Sequence, residues 1–260
     1  MEFQSSYISR PVDENGDTEY NEEENQVWSE LITRQLPIVQ THACPEYCFG
    51  LELLNLSQDK IPQCREISEV LQASTGWSLE PVPALIPVEH FFRLLSERKF
   101  PAATFIRRRS EIDYLQEPDI FHEIFGHCPL LTNHAYADFT HAYGRLGLSA
   151  TDEERILLAR LYWFTIEFGL MKSPAGVRAY GGGILSSMNE TIYCLESPLA
   201  KRKAFDVLEA LRTPYRIDIM QPVYFVIDDF NVLFELIEMD LIGLVHQAMA
   251  LGMFKPEYTE

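Results

Sequence analysis

Basic residues are few in this sequence. Lysine and arginine number 21 against 39 aspartates and glutamates, giving a net charge of -18 and a pI near 4.8. Such a surface repels nucleic acid and anionic lipid, so neither is expected as a partner. The one basic cluster, Arg107-Arg108-Arg109, is too short to reverse that and suits a local anion site better. No apolar run approaches the roughly 18 residues that read as a bilayer span. The opening Met1-Glu2-Phe3-Gln4-Ser5-Ser6 has no basic stretch followed by an apolar one, so no secretory signal is read and the cytoplasm is the expected compartment. Cysteines are few and scattered: Cys44, Cys48, Cys64, Cys128 and Cys194 are odd in number, which excludes a disulfide framework. Cys44 and Cys48 could share a helix face, but no second Cys/His pair at ligand spacing accompanies them. Gly181-Gly182-Gly183 lacks the Gly-Lys-Ser/Thr ending of a phosphate-binding loop, which excludes that nucleotide site. Internal repeats and low-complexity segments are absent.

What is present suits one large globular domain: 260 residues, 47% hydrophobic and 23% charged. Residues 1–19 are polar and acidic, with Asp13, Glu14, Asp17 and Glu19 grouped around Gly16, and are expected as a mobile arm. Residues 20–260 then form the domain. Trp28, Leu31, Ile32, Leu36 and Val39 recur near helical spacing, as do Ile67, Val70 and Leu71 within 63–75. Pro81, Pro83 and Pro87 mark an extended connection, and Phe91, Phe92, Leu94 and Leu95 a helix that stops before Pro101. A short strand is expected over Ala102–Ile106, a loop at 181–187 and a helix from Phe230 to Met253. The fold class read from this is mainly α with a few short β-strands, an α+β single domain.

The chemistry concentrates in Pro118-Asp119-Ile120-Phe121-His122-Glu123-Ile124-Phe125-Gly126-His127. Residues five apart diverge by about 140° on a regular helix of 3.6 residues per turn. Gly126 and the nearby Pro129 give a reason for the helix to end or distort there, so that His122 and His127 face one point. The zinc-protease pattern needs a four-residue spacing and does not apply. Downstream, Thr151-Asp152-Glu153-Glu154 is a capping box that starts another helix. That helix carries Glu167 in an apolar run, with Trp163, Phe164, Leu170 and Met171 at three and four residues. An ionised carboxylate there is costly unless paired, metal-bound or protonated. Two histidines and a carboxylate are the open-faced ligands of non-haem iron(II) oxygenases. The residues alone also admit a zinc hydrolase using the same ligands. They admit, further, packed histidines with a buried arginine for Glu167, in a non-enzymatic helical scaffold.

The histidine motif, Tyr162-Trp163-Phe164-Thr165-Ile166-Glu167-Phe168-Gly169-Leu170 and Ala179-Tyr180-Gly181-Gly182-Gly183-Ile184-Leu185-Ser186-Ser187 together resemble the pterin-dependent aromatic amino acid hydroxylases. Thr41-His42-Ala43-Cys44 and Gln221-Pro222-Val223-Tyr224 fit as well, and the resemblance spans roughly Tyr20 to Phe230. It is strongest to the bacterial members that hydroxylate phenylalanine and consist of the catalytic domain alone. The resemblance implies that His122, His127 and Glu167 hold Fe(II). It implies that Arg107, paired with Asp119, takes the substrate carboxylate. Gly183, Ser186 and Ser187 would position the amino acid, and Trp163 and Phe168 would line the ring pocket. Phe91 would stack on a tetrahydropterin, tetrahydrobiopterin or a relative, with Glu123, Tyr162 and Ile86 beside it. Dioxygen would be the co-substrate, one atom going to the pterin and one to the ring.

The implied activity is a phenylalanine 4-monooxygenase, L-phenylalanine to L-tyrosine. Trp163 fits phenylalanine and tyrosine hydroxylases better than tryptophan enzymes, which tend to have a smaller ring. Ile217 stands where tyrosine hydroxylases place an acid. Hydroxylation of tryptophan or tyrosine is the alternative within the family, since an apolar pocket discriminates only modestly against an added hydroxyl. The sequence departs from the animal enzymes in having no room for their regulatory domain or tetramerisation helix, so a monomer or small homo-oligomer is expected. Ala84 replaces a pterin-loop glycine and Leu115 a substrate-contacting threonine, which implies altered affinity with the reaction intact.

Overall fold

The computed structural model describes residue 5 and residues 7–258 of the chain. Helix α1 (Glu22–His42) starts at a reciprocal cap between Asn21 and Glu24, with Glu22, Glu23 and Glu24 at its positive end. It buries Val27, Trp28, Leu31, Ile32 and Val39, the face the periodicity marks, and also Gln35. Helices α2 (Pro45–Leu54) and α3 (Cys64–Thr75) follow.

Strand β1 (Ser78–Val82), helix α4 (Val88–Ser96) and strand β2 (Lys99–Ala103) form a parallel two-stranded unit. The strand expected over 102–106 therefore begins and ends earlier. Its register is set by pairing, Ser78 opposite Lys99 through Val82 opposite Ala103, and not by the apolar run. Pro81 and Pro101 sit inside these strands. A two-stranded sheet has an outer side on each strand, where a missing N–H is tolerated.

The chain continues through α5 (Cys128–Leu131), α6 (His134–Ser149) and α7 (Asp152–Tyr162), the last opened by the expected Thr151–Glu154 box. Strands β3 (Leu170–Ser173) and β4 (Gly176–Ala179), helices α8 (Gly182–Leu185) and α9 (Met188–Glu196), strand β5 (Lys201–Ala204), helix α10 (Val207–Arg212) and strand β6 (Val223–Ile227) come next. A four-stranded sheet runs β4-β3-β6-β5, antiparallel only at β3/β4. All five residues of β6 are buried, as its near-continuous apolar sequence requires of a central parallel strand. The segment expected as a loop at 181–187 contains the single turn α8. The expected helix over 230–253 is two, α11 (Asn231–Glu238) and α12 (Leu241–Leu251), because the Asp240 side chain caps the Gly243 N–H and starts afresh.

The acidic segment expected as a mobile arm has anchors that its composition hides. Tyr7 stacks on Phe105 at 4.7 Å and donates to Glu111 at 2.7 Å. Ser9 donates to the Val82 carbonyl, Thr104 to the Arg10 carbonyl, and Arg10 pairs with Glu24. Among the described residues no helix is long and apolar enough to cross a membrane.

Candidate active site

Both segments that carry the expected ligands are π-helical, His122–His127 and Trp163–Glu167. The second closes with the Phe168 N–H on the Trp163 carbonyl at 2.8 Å. The helix therefore does not end at Gly126 as one reading expected. It widens, and bonding from i to i+5 stacks residues five apart on one side. Gly126 serves close approach: a Cβ there would stand 2.7 Å from the Gly182 carbonyl oxygen. A Cβ on Gly182 would meet the His127 ring at 2.3 Å. The two glycines let α8 lie against the histidine segment. Glu167 is the last residue of its helix, so Leu170 and Met171 lie on β3 and not on its helical face.

The three donors converge. His122 Nε2 and His127 Nε2 are 3.1 Å apart, and Glu167 reaches them at 3.7 and 3.3 Å. His122 Nδ1 stands 2.9 Å from Ser186 Oγ, which suits the tautomer protonated on Nδ1 and leaves Nε2 a free lone pair. Facing each other at 3.1 Å, the two Nε2 atoms can share a proton or hold a cation between them. Atoms bound to one metal at about 2.0–2.2 Å lie roughly 2.8–3.6 Å from one another, so the 3.1 and 3.3 Å spacings fit a single ion and the 3.7 Å one is slightly wide. Glu123 also comes near, its oxygen lying within 4.8 Å of both histidines. Glu167 is the closer carboxylate. Burial pushes the Glu167 carboxyl up, but His127, His122 and the Gly183 N–H outweigh it and hold the group ionised. Burial, Glu167 and Asp119 together push the Glu123 carboxyl well up. Burial holds His122 down at about 4.

On one side lies a small pocket with Arg107 and Ser186 in its wall, together with Arg34, Asp113, Ser187 and Asn189. Asp119, fully buried, accepts from Arg107 N, Nε and Nη2 and from the His122 N–H. Its burial raises its pKa, but Arg107 lowers it further and keeps it charged. Arg107 Nη1 has only a 3.5 Å contact with the Ile112 carbonyl, so a buried guanidinium edge remains for an anion. Ser187 caps α9 through the Glu190 N–H, while Gly183 serves Glu167.

On the other side is a cleft of about 240 Å³ bounded by Ile86, Phe91, Glu123, Tyr162, His122 and Glu167. The residues expected at a pterin meet there. Phe91 meets Tyr162 edge-on at 5.3 Å, and the buried Tyr162 hydroxyl has no protein partner. An apolar cleft with an aromatic face and an unpaired hydroxyl fits a flat heterocycle.

Trp163 is sandwiched between Phe168 at 4.3 Å and Tyr215 at 4.5 Å. Ile217 is more than half exposed on the following loop and borders neither the small pocket nor the cleft. Sequence reasoning missed Tyr215, whose contact spans 52 residues of chain and leaves no local pattern. It also missed the buried Gln35, which donates to the Leu185 carbonyl at 2.7 Å and fixes the turn before Ser186. A buried glutamine on an apolar helix face was the available signal.

The family described as biopterin-dependent aromatic amino acid hydroxylase matches residues 7–239. The chain is 58% identical over 253 residues to a phenylalanine-4-hydroxylase of Pseudomonas aeruginosa, covering 97% of this chain and 96% of that one. The apo structure of the cold-active phenylalanine hydroxylase of Colwellia psychrerythraea superposes with a TM-score of 0.94 at 57% identity, covering 96% of this chain and 97% of that one. The phenylalanine hydroxylase of Chromobacterium violaceum with bound oxidised Fe(III) superposes with a TM-score of 0.88 at 43% identity, covering 94% and 91%.

Proposed function

This chain belongs to the biopterin-dependent aromatic amino acid hydroxylases, and we infer that it converts L-phenylalanine to L-tyrosine with dioxygen and a tetrahydropterin at an iron(II) centre. The observation that carries the chemistry is the meeting of His122, His127 and Glu167 between an anion pocket and an apolar cleft. Iron(II) and the tetrahydropterin, when bound, supply the electrons that activate dioxygen for insertion into the ring.

The protein's residues hold the partners in order. His122, His127 and Glu167 would hold the iron, with Ser186 fixing the His122 ring and the Gly183 N–H fixing the carboxylate. Arg107, locked by Asp119, offers its free edge to the substrate carboxylate as a planar fork. Phe91, Ile86, Glu123 and Tyr162, which line the cleft, would hold the pterin. By the family resemblance we place the substrate ring against Trp163 and Phe168, which stack on each other at 4.3 Å. Residues 20–260 form the catalytic domain, cytoplasmic and monomeric or a small homo-oligomer.

The test is tyrosine formation from phenylalanine with iron(II), air and a tetrahydropterin, each omitted in turn. A requirement for all three is expected. No tyrosine from folded, iron-loaded protein would refute the reading and direct the assay to tryptophan.

A further inference from the structure

The motif Gln221-Pro222-Val223-Tyr224 lies outside the ligand and pterin residues, yet its glutamine is 1% exposed and fully engaged. Gln221 Oε1 accepts the Trp163 indole N–H at 3.2 Å. Gln221 Nε2 donates to the carbonyls of Arg216 at 2.8 Å and Ile219 at 3.0 Å. Its backbone N–H donates to Glu190 Oε1 at 3.1 Å, and the Tyr224 hydroxyl donates to the same oxygen. The amide can face only this way. Turned over, its NH₂ would meet the indole N–H and its oxygen would meet two carbonyls.

We propose that Gln221 is a positioning residue that fixes Trp163 in its own plane and thereby sets where the substrate ring lies. The proposal rests on the phenylalanine-hydroxylase reading above. Phe168 and Tyr215 stack on Trp163 with interplanar angles of 30° and 22°. Stacking confines the plane of a ring but resists sliding and turning within that plane only weakly. A hydrogen bond from the ring edge supplies the missing restraint, and Nε1–H is the indole's only donor. Among the described residues it has no other partner. The same amide grips the carbonyls on either side of Ile217 and Asp218, and so holds the loop that brings Tyr215 against Trp163. Glu190 anchors Gln221 in turn. It is 6% exposed on α9, and its oxygen holds both ends of the motif. One side chain therefore joins the indole, the loop beyond it and α9. A displaced indole moves the ring of the substrate relative to the iron, and misplacement of about 1 Å costs up to about a hundredfold in rate.

The test compares wild type, Gln221→Met, Trp163→Phe and the double variant, all loaded with iron(II). The readouts are the phenylalanine-over-tryptophan ratio of kcat/KM, the tyrosine formed per tetrahydropterin oxidised, and phenylalanine affinity by calorimetry. Iron content and Tm report the fold. Gln221→Met is expected to lower the preference ratio about tenfold and to lower the yield per pterin, with iron content unchanged. In the Trp163→Phe background the same substitution should change the ratio by less than about twofold, because the bond is already absent. A merely structural glutamine would lower Tm and leave the ratio and the yield alone. Wild-type ratio and yield in folded Gln221→Met overturn the proposal, as does an equal loss in both backgrounds. Should Gln221→Met fail to fold, Trp163→Phe decides alone: it keeps a ring in the stack, removes the N–H, and a wild-type ratio there overturns the proposal. A wild-type enzyme that makes no tyrosine refutes the hydroxylase reading instead, which separates the two failures.

Discussion

Asp119→Asn removes one oxygen and one charge from a site with no solvent. The carboxylate accepts from Arg107 N at 2.9 Å, Arg107 Nε at 2.8 Å, Arg107 Nη2 at 3.0 Å and the His122 N–H at 3.0 Å. Each oxygen takes two of these donors. An amide has one oxygen, so whichever way it turns its NH₂ faces two N–H groups. With the NH₂ at the Oδ2 position, it opposes Arg107 N and Nε. At the Oδ1 position, it opposes Arg107 Nη2 and the N–H that starts the ligand segment. In both cases a guanidinium in a residue only 6% exposed loses its counter-charge. Breaking a buried pair from one side costs about 3–5 kcal/mol, a large share of the roughly 5–15 kcal/mol that holds a domain folded. Urea unfolding of the iron-loaded protein should therefore give an unfolding free energy lower by that amount, read as a fall in midpoint at unchanged slope. The double variant Arg107→Met, Asp119→Leu should recover at least about 2 kcal/mol of the loss while binding phenylalanine no better, since it removes the stranded charge together with the carboxylate site. A loss below about 1 kcal/mol for Asp119→Asn would refute the argument and mean that Arg107 finds another partner.

Iron(II) at a hundredfold excess over its dissociation constant should stabilise the folded chain by about 2.7 kcal/mol, and chelation should reverse it. His127→Ala should abolish that shift, and a shift that survives would remove His127 from the ligand set. Gly182→Ala puts a Cβ 2.3–2.6 Å from three atoms of the His127 ring, which Phe100 backs at a centroid distance of 4.9 Å. Its fold should weaken by about 1–3 kcal/mol and its iron content should fall, and wild-type iron content would show that α8 can simply withdraw. Burial raises the Glu190 carboxyl above the ordinary carboxylate range, against the lowering hydrogen bonds from Tyr224 and Gln221. A raised folded value means that the folded state binds the proton more tightly, so stability falls as pH rises from the unfolded value through the folded one. Glu190→Gln should flatten that fall in unfolding measured as pH is raised above the ordinary carboxylate range, and an unchanged slope would place the titration elsewhere.

The candidate ligand set was legible because most of its signals are local. A carboxylate in an apolar run and two histidines separated by a glycine mark a costly cluster whatever surrounds them, and the motif matches made its chemistry specific. Capped helices such as α1 and α7 were legible for the same reason, since a cap and a periodic face lie within a few residues of each other. The acidic N-terminal segment was read from composition, which weighs Asp13 and Glu14 but not the single stack of Tyr7 on Phe105 nearly a hundred residues away.

By itself the sequence determined the α+β class and the acidic surface, because each follows from residue type and near-neighbour spacing, and its motifs pointed to His122, His127 and Glu167 as candidate ligands. Tertiary structure decided how the two histidines point together, since a π-helix forms where packing against Gly182 favours a wider turn over a straight one. It also decided the register of β2, the Tyr215–Trp163–Phe168 stack and the grip of Gln221 on that stack. These depend on which distant segments are brought together, and hydrogen bonds and ring contacts between such segments leave no periodic trace in the chain.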